Sequence, residues 1–175
     1  MLSPAVFADR RARLLAEVGG PILMLGNGTR ARNLPMTPLP FRQDSTFLYL
    51  TGCNEPDAGL LLTESESTLF LPPPHADDPL WHGTVPGMVE RAAALGFDRV
   101  EPLPHLALRA RQLENPKTLA VADENKNRVL TAWTGQELRF GRHHGDPSLM
   151  DHVIAMRRAK TSDELDEMRA AAALT

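Results

Sequence analysis

The stretch Pro40-Phe41-Arg42-Gln43-Asp44-Ser45-Thr46-Phe47-Leu48-Tyr49-Leu50-Thr51-Gly52 constrains this chain more than any other. It joins a polar loop, Arg42 to Ser45, directly to the run Phe47-Leu48-Tyr49-Leu50. The aromatic and aliphatic density of that run is that of a buried strand over 46–51, closed by Gly52. Charged groups at the mouth of such a strand must be solvated or paired, because unpaired buried charge is prohibitive. Arg42 and Asp44 can pair with neighbours, Gln43 can bridge backbone groups, and Ser45 can cap.

Around this segment the chain reads as alternating helices and strands. Ser3-Pro4 is a helix-start signal, a capping hydroxyl followed by proline at the first helical position. Phe7, Leu14, Leu15 and Val18 then recur at helical spacing, with Arg10, Arg11 and Arg13 expected to point outward. Strands are expected at Ile22–Leu25, at 46–51, at Gly59–Thr63 and at Ser67–Leu71, the last two joined by a polar turn at Glu64-Ser65-Glu66. A helix over 85–95 ends at Gly96, and Arg99-Val100-Glu101 is a short strand. Helices over 103–113 and 125–133 flank a further strand at 118–122. The expectation is an α/β domain with a mixed sheet of about six strands and helices packed on it.

Composition removes several function classes. With 19 Lys and Arg against 22 Asp and Glu, the net charge of −3 does not suit a nucleic-acid surface. A single cysteine, Cys53, cannot form an internal disulfide and fits a reducing compartment. No apolar run reaches the roughly 18 residues of a membrane span, and Met1-Leu2-Ser3-Pro4 runs straight into a charged amphipathic segment. The expected location is the cytoplasm, with no membrane and no nucleic-acid partner.

The last segment carries its own signal. Thr161-Ser162-Asp163-Glu164 is a capping box, and Asp163, Glu164, Asp166 and Glu167 load the first turns with charge that suits the helix dipole. Leu165, Met168 and Ala172 form one apolar face, which a helix must bury somewhere. The reading is a chain cut just inside a following domain, with residues 154–175 as linker and first helix of that domain and residues 1–153 as the preceding one. A terminal helix that simply ends the protein is the other reading.

Four constellations bear on chemistry. The histidines at 75, 82, 105, 143, 144 and 152 show no metal-ligand spacing, so no metal site is expected here. Gly26-Asn27-Gly28 follows a strand but lacks the third glycine and the helix that a dinucleotide site needs; it reads as a turn. Cys53 has no His or Asn nearby in sequence and reads as a structural thiol. Trp81, in Leu80-Trp81-His82-Gly83, is either a hydrophobic plug for its own domain or an anchor for a partner.

The 40–52 stretch resembles the Phe-Arg-Gln-x-Ser-x-Phe-x-Tyr-x-x-Gly signature of the N-terminal domain of the aminopeptidase P and prolidase group. The positions that carry it are Phe41, Arg42, Gln43, Ser45, Phe47, Tyr49 and Gly52, with Asp44 inside the loop. Glu55-Pro56-Asp57-Ala58 resembles the family's Glu-Pro-x-Ala turn, and Trp81-x-Gly83 its Trp-x-Gly element. Arg157-x-x-Lys160-Thr161-x-x-Glu164-x-x-x-Met168-Arg169 resembles the linker and first helix of the catalytic domain. The resemblance implies a non-catalytic N-terminal domain ahead of a metallopeptidase domain that hydrolyses Xaa-Pro peptides. Two Mn²⁺ or similar ions would sit on two Asp, one His and two Glu beyond Thr175, leaving no catalytic or metal-binding residue in this chain. It also implies a homo-oligomer in which Trp81 approaches a neighbouring subunit's active site. The chain departs from the family where Thr84 replaces the arginine after Trp-x-Gly, and where Pro147-Ser148-Leu149-Met150 replaces a Trp-Arg pair. The competing reading is a stand-alone binding or regulatory module of the same fold.

Overall fold

A computed structural model describes residues 2–34, 37–74, 83 and 85–173. Its elements run α1 (Pro4–Val18), β1 (Ile22–Leu25), α2 (Ser45–Thr51), β2 (Gly59–Thr63), β3 (Glu66–Leu71), α3 (Met88–Ala93), β4 (Arg99–Pro102), α4 (Leu103–Ala110), α5 (Glu124–Thr134), α6 (Pro147–Arg158) and α7 (Ser162–Ala172). The sheet is mixed, in the order β1-β2-β3-β4, with antiparallel pairs β1–β2 and β2–β3 and a parallel pair β3–β4. A two-residue turn, Glu64-Ser65, closes the β2–β3 hairpin, because Glu66 already pairs with Thr63.

The strands are apolar on both faces because both are covered. Ile22, Met24, Leu60, Leu62, Leu69 and Leu71 pack with Leu14 and Val18 of α1, Phe47 and Leu50 of α2, and Leu149 and Val153 of α6. On the opposite face Leu23, Leu25, Leu61 and Phe70 meet Leu106 and Ala110 of α4 and Leu130 of α5. The result is a helix–sheet–helix sandwich, and α7 buries no residue in either layer.

The sheet has four strands rather than six, and each missing strand has a physical reason. Residues 46–51 form a helix, because local capping defeats their β propensity. The Asp44 carboxylate accepts from Thr46 N and Phe47 N, both at 2.9 Å. At the other end Gly52 takes a left-handed conformation (φ 68°), and its N–H donates to Leu48 O. Phe47, Leu50 and Thr51 then share one buried face at helical spacing. Asp44 is therefore the N-cap, and Ser45 is the first helical residue instead of a cap.

Residues 118–122 divide their hydrogen bonds among different partners. Lys117 forms a single parallel bridge with Ile22, and Leu119 a single antiparallel bridge with Gly145. The buried Asn127 side chain takes both backbone groups of Val121, accepting from its N–H at 2.8 Å and donating to its carbonyl at 2.9 Å. No two successive pairs face one neighbour, so no ladder forms.

Two further expectations fail. Arg10 and Arg11 are each 3% exposed, so they face inward; Arg13 alone of the three lies in solvent, beside Asp9. The helix α6 was not anticipated, although Asp146 caps it by accepting from Leu149 N at 2.8 Å and Pro147 opens it. Ser3 precedes Pro4 as expected, but its hydroxyl makes no capping bond.

Candidate functional site

Gln43 is the hub of the signature. It is 4% exposed, and each polar atom of its amide is used. Its Oε1 accepts from Asn27 N at 2.8 Å and from Asp44 N at 2.9 Å, while Nε2 donates to Glu55 O at 2.8 Å. One side chain thus ties the end of β1, the start of α2 and the Glu55-Pro56 turn. Gly26 makes room for it, since a Cβ there would lie 2.6 Å from Gln43 Oε1. Gly52 serves a similar need, since its Cβ would meet the Phe7 ring at 2.7 Å. A buried amide with every group satisfied rigidifies its surroundings.

The Glu55-Pro56-Asp57 turn is fixed on both sides. Glu55 pairs with Arg91 of α3, and Asp57 pairs with Lys126 of α5. Asp57 N donates to Asn27 O at 2.9 Å. Cys53, beside this turn, is buried and free. Burial pushes its thiol up to about 11, which makes it a poor nucleophile at neutral pH.

The outward side of α2 grips the end of the chain. Tyr49 Oη donates to Met156 O at 3.3 Å, and Arg157 reaches Ser45 Oγ at 3.3 Å and Thr46 Oγ1 at 3.4 Å. The Arg10 guanidinium lies 4.0 Å over the Tyr49 ring, donates to Tyr49 O at 2.9 Å, and pairs with Glu164 at 2.9 Å. Glu164 Oε2 meanwhile accepts from Thr161 N at 2.8 Å, completing the capping box. One carboxylate therefore both starts α7 and fastens it to α1. Burial raises the Tyr49 pKa above its ordinary value, with Arg10 opposing the shift. Arg11, one position along α1, stacks on Phe97 at 3.6 Å and donates to Leu50 O, Ser67 Oγ and Gly96 O. Burial lowers its pKa to about 10, against a smaller opposing effect of Asp98.

The structure brings Gln43, Asp44, Ser45, Tyr49, Gly52, Glu55 and Pro56 into one cluster around α2. Phe41 and Arg42 line a cleft on its flank. Gly83 is described, with φ 74° and no atom of the described residues within 4 Å of where its Cβ would lie, whereas Trp81 lies outside the described residues, as do His75, His82 and Thr84. Sequence reasoning missed Arg10 as a partner of Glu164, because it placed the arginines of α1 in solvent. The Arg157 and Glu164 positions were visible in the linker pattern, but their partners were not. Among the described residues no three His, Cys, Asp or Glu converge as a metal site. No described helix is long and apolar enough to cross a membrane.

Comparison with known proteins returns one family repeatedly. The profile described as "Aminopeptidase P, N-terminal domain" matches residues 7–122. A probable Xaa-Pro aminopeptidase of Metarhizium acridum is 34% identical over 119 residues, which is 65% of this chain and 24% of that protein. A probable Xaa-Pro aminopeptidase of Emericella nidulans is 27% identical over 186 residues, covering 91% of this chain and 40% of that one. Among solved structures, the low-pH form of aminopeptidase P from E. coli superposes with a TM-score of 0.74 at 23% identity, over 95% of this chain and 41% of that one. That last likeness speaks to the fold alone. The chain spans less than half the length of each of these relatives.

Proposed function

The chain belongs to the aminopeptidase P N-terminal domain family, and from that premise we propose that it is the non-catalytic N-terminal domain of an Xaa-Pro-specific metallopeptidase. In this reading residues 1–153 form the domain, and residues 154–175 begin the catalytic one. The domain holds the first catalytic helix in place, contributes to a homo-oligomer, and presents Trp81 to a neighbouring subunit's peptide-binding site in the cytoplasm. The two divalent ions, Mn²⁺ or similar, belong to the catalytic domain, where they would supply and orient a hydroxide.

The observation that carries this reading is the grip of α2 on the end of α6 and of α1 on the start of α7. Tyr49, Ser45 and Thr46 hold the end of α6, and Arg10 holds Glu164. Yet α7 leaves Leu165 38% and Met168 54% exposed. A helix anchored at its start, with its apolar face turned away from its own domain, suits a partner that arrives from the other side.

The test compares two proteins supplied with Mn²⁺ and an Xaa-Pro peptide. The 175-residue chain should give no hydrolysis. The product of a reading frame extended through two Asp, one His and two Glu should give metal-dependent release of the N-terminal residue. Turnover by the chain alone would overturn the proposal. A reading frame that stops at Thr175 would favour the stand-alone regulatory module.

A further inference from the structure

The turn Gly26-Asn27-Gly28 has a chemistry of its own. Asn27 is the one asparagine in the chain followed by glycine. In that pair the backbone nitrogen readily attacks the preceding side chain, because glycine has no Cβ to obstruct the approach and bends freely. Gly28 N would lose its proton to a solvent base and bond to Asn27 Cγ. The Cγ–Nδ2 bond then breaks, and Nδ2 takes a proton from solvent and leaves as ammonia. Water opens the resulting cyclic imide at either carbonyl, giving aspartate, or isoaspartate with an extra methylene in the main chain. The balance is one water in and one ammonia out, with no change of oxidation state.

The fold holds every group that this reaction must move. Asn27 N donates to Gln43 Oε1 at 2.8 Å, and Asn27 O accepts from Asp57 N at 2.9 Å. Asn27 Nδ2 donates to Arg42 O at 3.0 Å. The attacking atom, Gly28 N, donates to Asp123 Oδ2 at 3.1 Å and belongs to a buried residue. Two carboxylates crowd Gly28 as well: a Cβ there would lie 2.8 Å from Asp57 Oδ1 and 3.0 Å from Asp123 Oδ2. Closing the imide requires the Asn27 side chain and the Gly28 peptide to turn toward each other, which breaks the Arg42 and Asp123 contacts together. Gln43 keeps the turn seated, since the oxygen that accepts from Asn27 N also accepts from Asp44 N.

The product does not fit back. A carboxylate in place of the Asn27 amide sets an oxygen against the Arg42 carbonyl, acceptor against acceptor, where Nδ2 now donates. Its other oxygen takes the place of Oδ1, which is shielded from solvent and has no donor among the described residues. An ionised oxygen in that position is costlier than an amide one. We propose that Asn27-Gly28 is a conditional deamidation site, protected while the Gln43 hub is closed, reactive when it opens, and unable to reclose once converted. The turn thereby makes a reversible opening of the loop into α2 permanent. The proposal concerns this turn alone and stands whether or not a catalytic domain follows.

The test follows Asn27 by peptide mass mapping at neutral pH in the natural chain, in the same chain in urea above its midpoint, and in Gln43→Ala. Folded, the natural chain should lose the Asn27 amide about a hundredfold more slowly than in urea, since two hydrogen bonds must break, each contributing up to about tenfold. Gln43→Ala should lose it about tenfold faster than the natural chain. A urea series below the midpoint separates opening of the hub from unfolding of the whole chain, because the natural chain's rate should rise before the global transition begins. Asn27→Asp, which has the charge of the product without the extra methylene, should denature at lower urea and exchange the Asp44 and Asp57 amides about tenfold faster. Equal rates folded and in urea, a rate that follows only the global transition, Gln43→Ala reacting as slowly as the natural chain, or Asn27→Asp as stable as the natural chain would each overturn the proposal.

Discussion

The two helices joined by the Arg10–Glu164 pair differ in what holds them. The first, α1, buries Leu14 and Val18 in the core and sends two arginines inward to carbonyls, a serine and aromatic rings. The second, α7, has the better N-terminus, a complete capping box, and buries nothing. A cap fixes where a helix begins; packing decides whether it persists, because an isolated helix of this length is marginal in water. The contrast makes α7 a segment fastened to the rest of the chain by a few polar contacts rather than by packing.

The largest expected effect is on stability. Leu14→Ala removes a fully buried side chain and should cost about 3–4 kcal/mol in urea denaturation. Leu165→Ala, at the corresponding apolar position of α7, should cost less than about 0.5 kcal/mol. Similar losses for the two would erase the distinction.

A pH dependence sharpens the picture on the α1 side of the sheet, where Cys53 is packed. Its thiol is held up to about 11, from an ordinary value of 9.0. Between those values the unfolded chain gives up the proton while the folded chain keeps it. The thiol's contribution is thus intact below pH 9 and lost as pH rises toward 11. The difference in stability between the natural chain and Cys53→Ala should shrink by roughly 2–3 kcal/mol across that interval. A difference that stays constant with pH would mean that the thiol is solvated. Arg11 acts in the opposite direction at higher pH, because its pKa is lowered, and it cancels from the comparison since both chains carry it.

The fastening itself gives a smaller effect. Glu164→Gln removes the charge that meets Arg10 across a mostly buried contact. It should loosen α7 by about 1 kcal/mol while leaving the urea midpoint of the domain in place. A drop in the global midpoint would show that α7 belongs to the domain's cooperative unit.

Much of this was legible in the sequence, and the failures have specific causes. Strands β1 to β4 were found because their apolar runs are bounded by glycine, proline or a charged turn. The run Phe47-Leu48-Tyr49-Leu50 misled because aromatic density signals burial rather than conformation; Asp44 before it and Gly52 after it were the readable helix brackets. Residues 118–122 have strand composition, but the Asn127 side chain that occupies Val121 lies on a different element, where no local pattern points to it. Gln43 was correctly read as a bridge between backbone groups, whereas the inward turn of Arg10 and Arg11 depends on aromatic rings at Tyr49 and Phe97, far away in sequence. The Gln43 hub was half visible; the hold on α7 and the cleft beside Arg42 are products of tertiary structure.

Hydrogen exchange at individual amides tests the central claim most directly. In the 175-residue chain, amides of α7 from Leu165 onward should exchange near the rate of an unprotected helix. Those of α1 around Leu14 and of β2 should exchange only with global unfolding. In a longer protein carrying a catalytic domain, the α7 amides should slow by orders of magnitude, while those of α1 change little. Protection of α7 equal to that of α1 in the isolated chain would contradict the account, making α7 an integral part of this domain rather than the first element of the next.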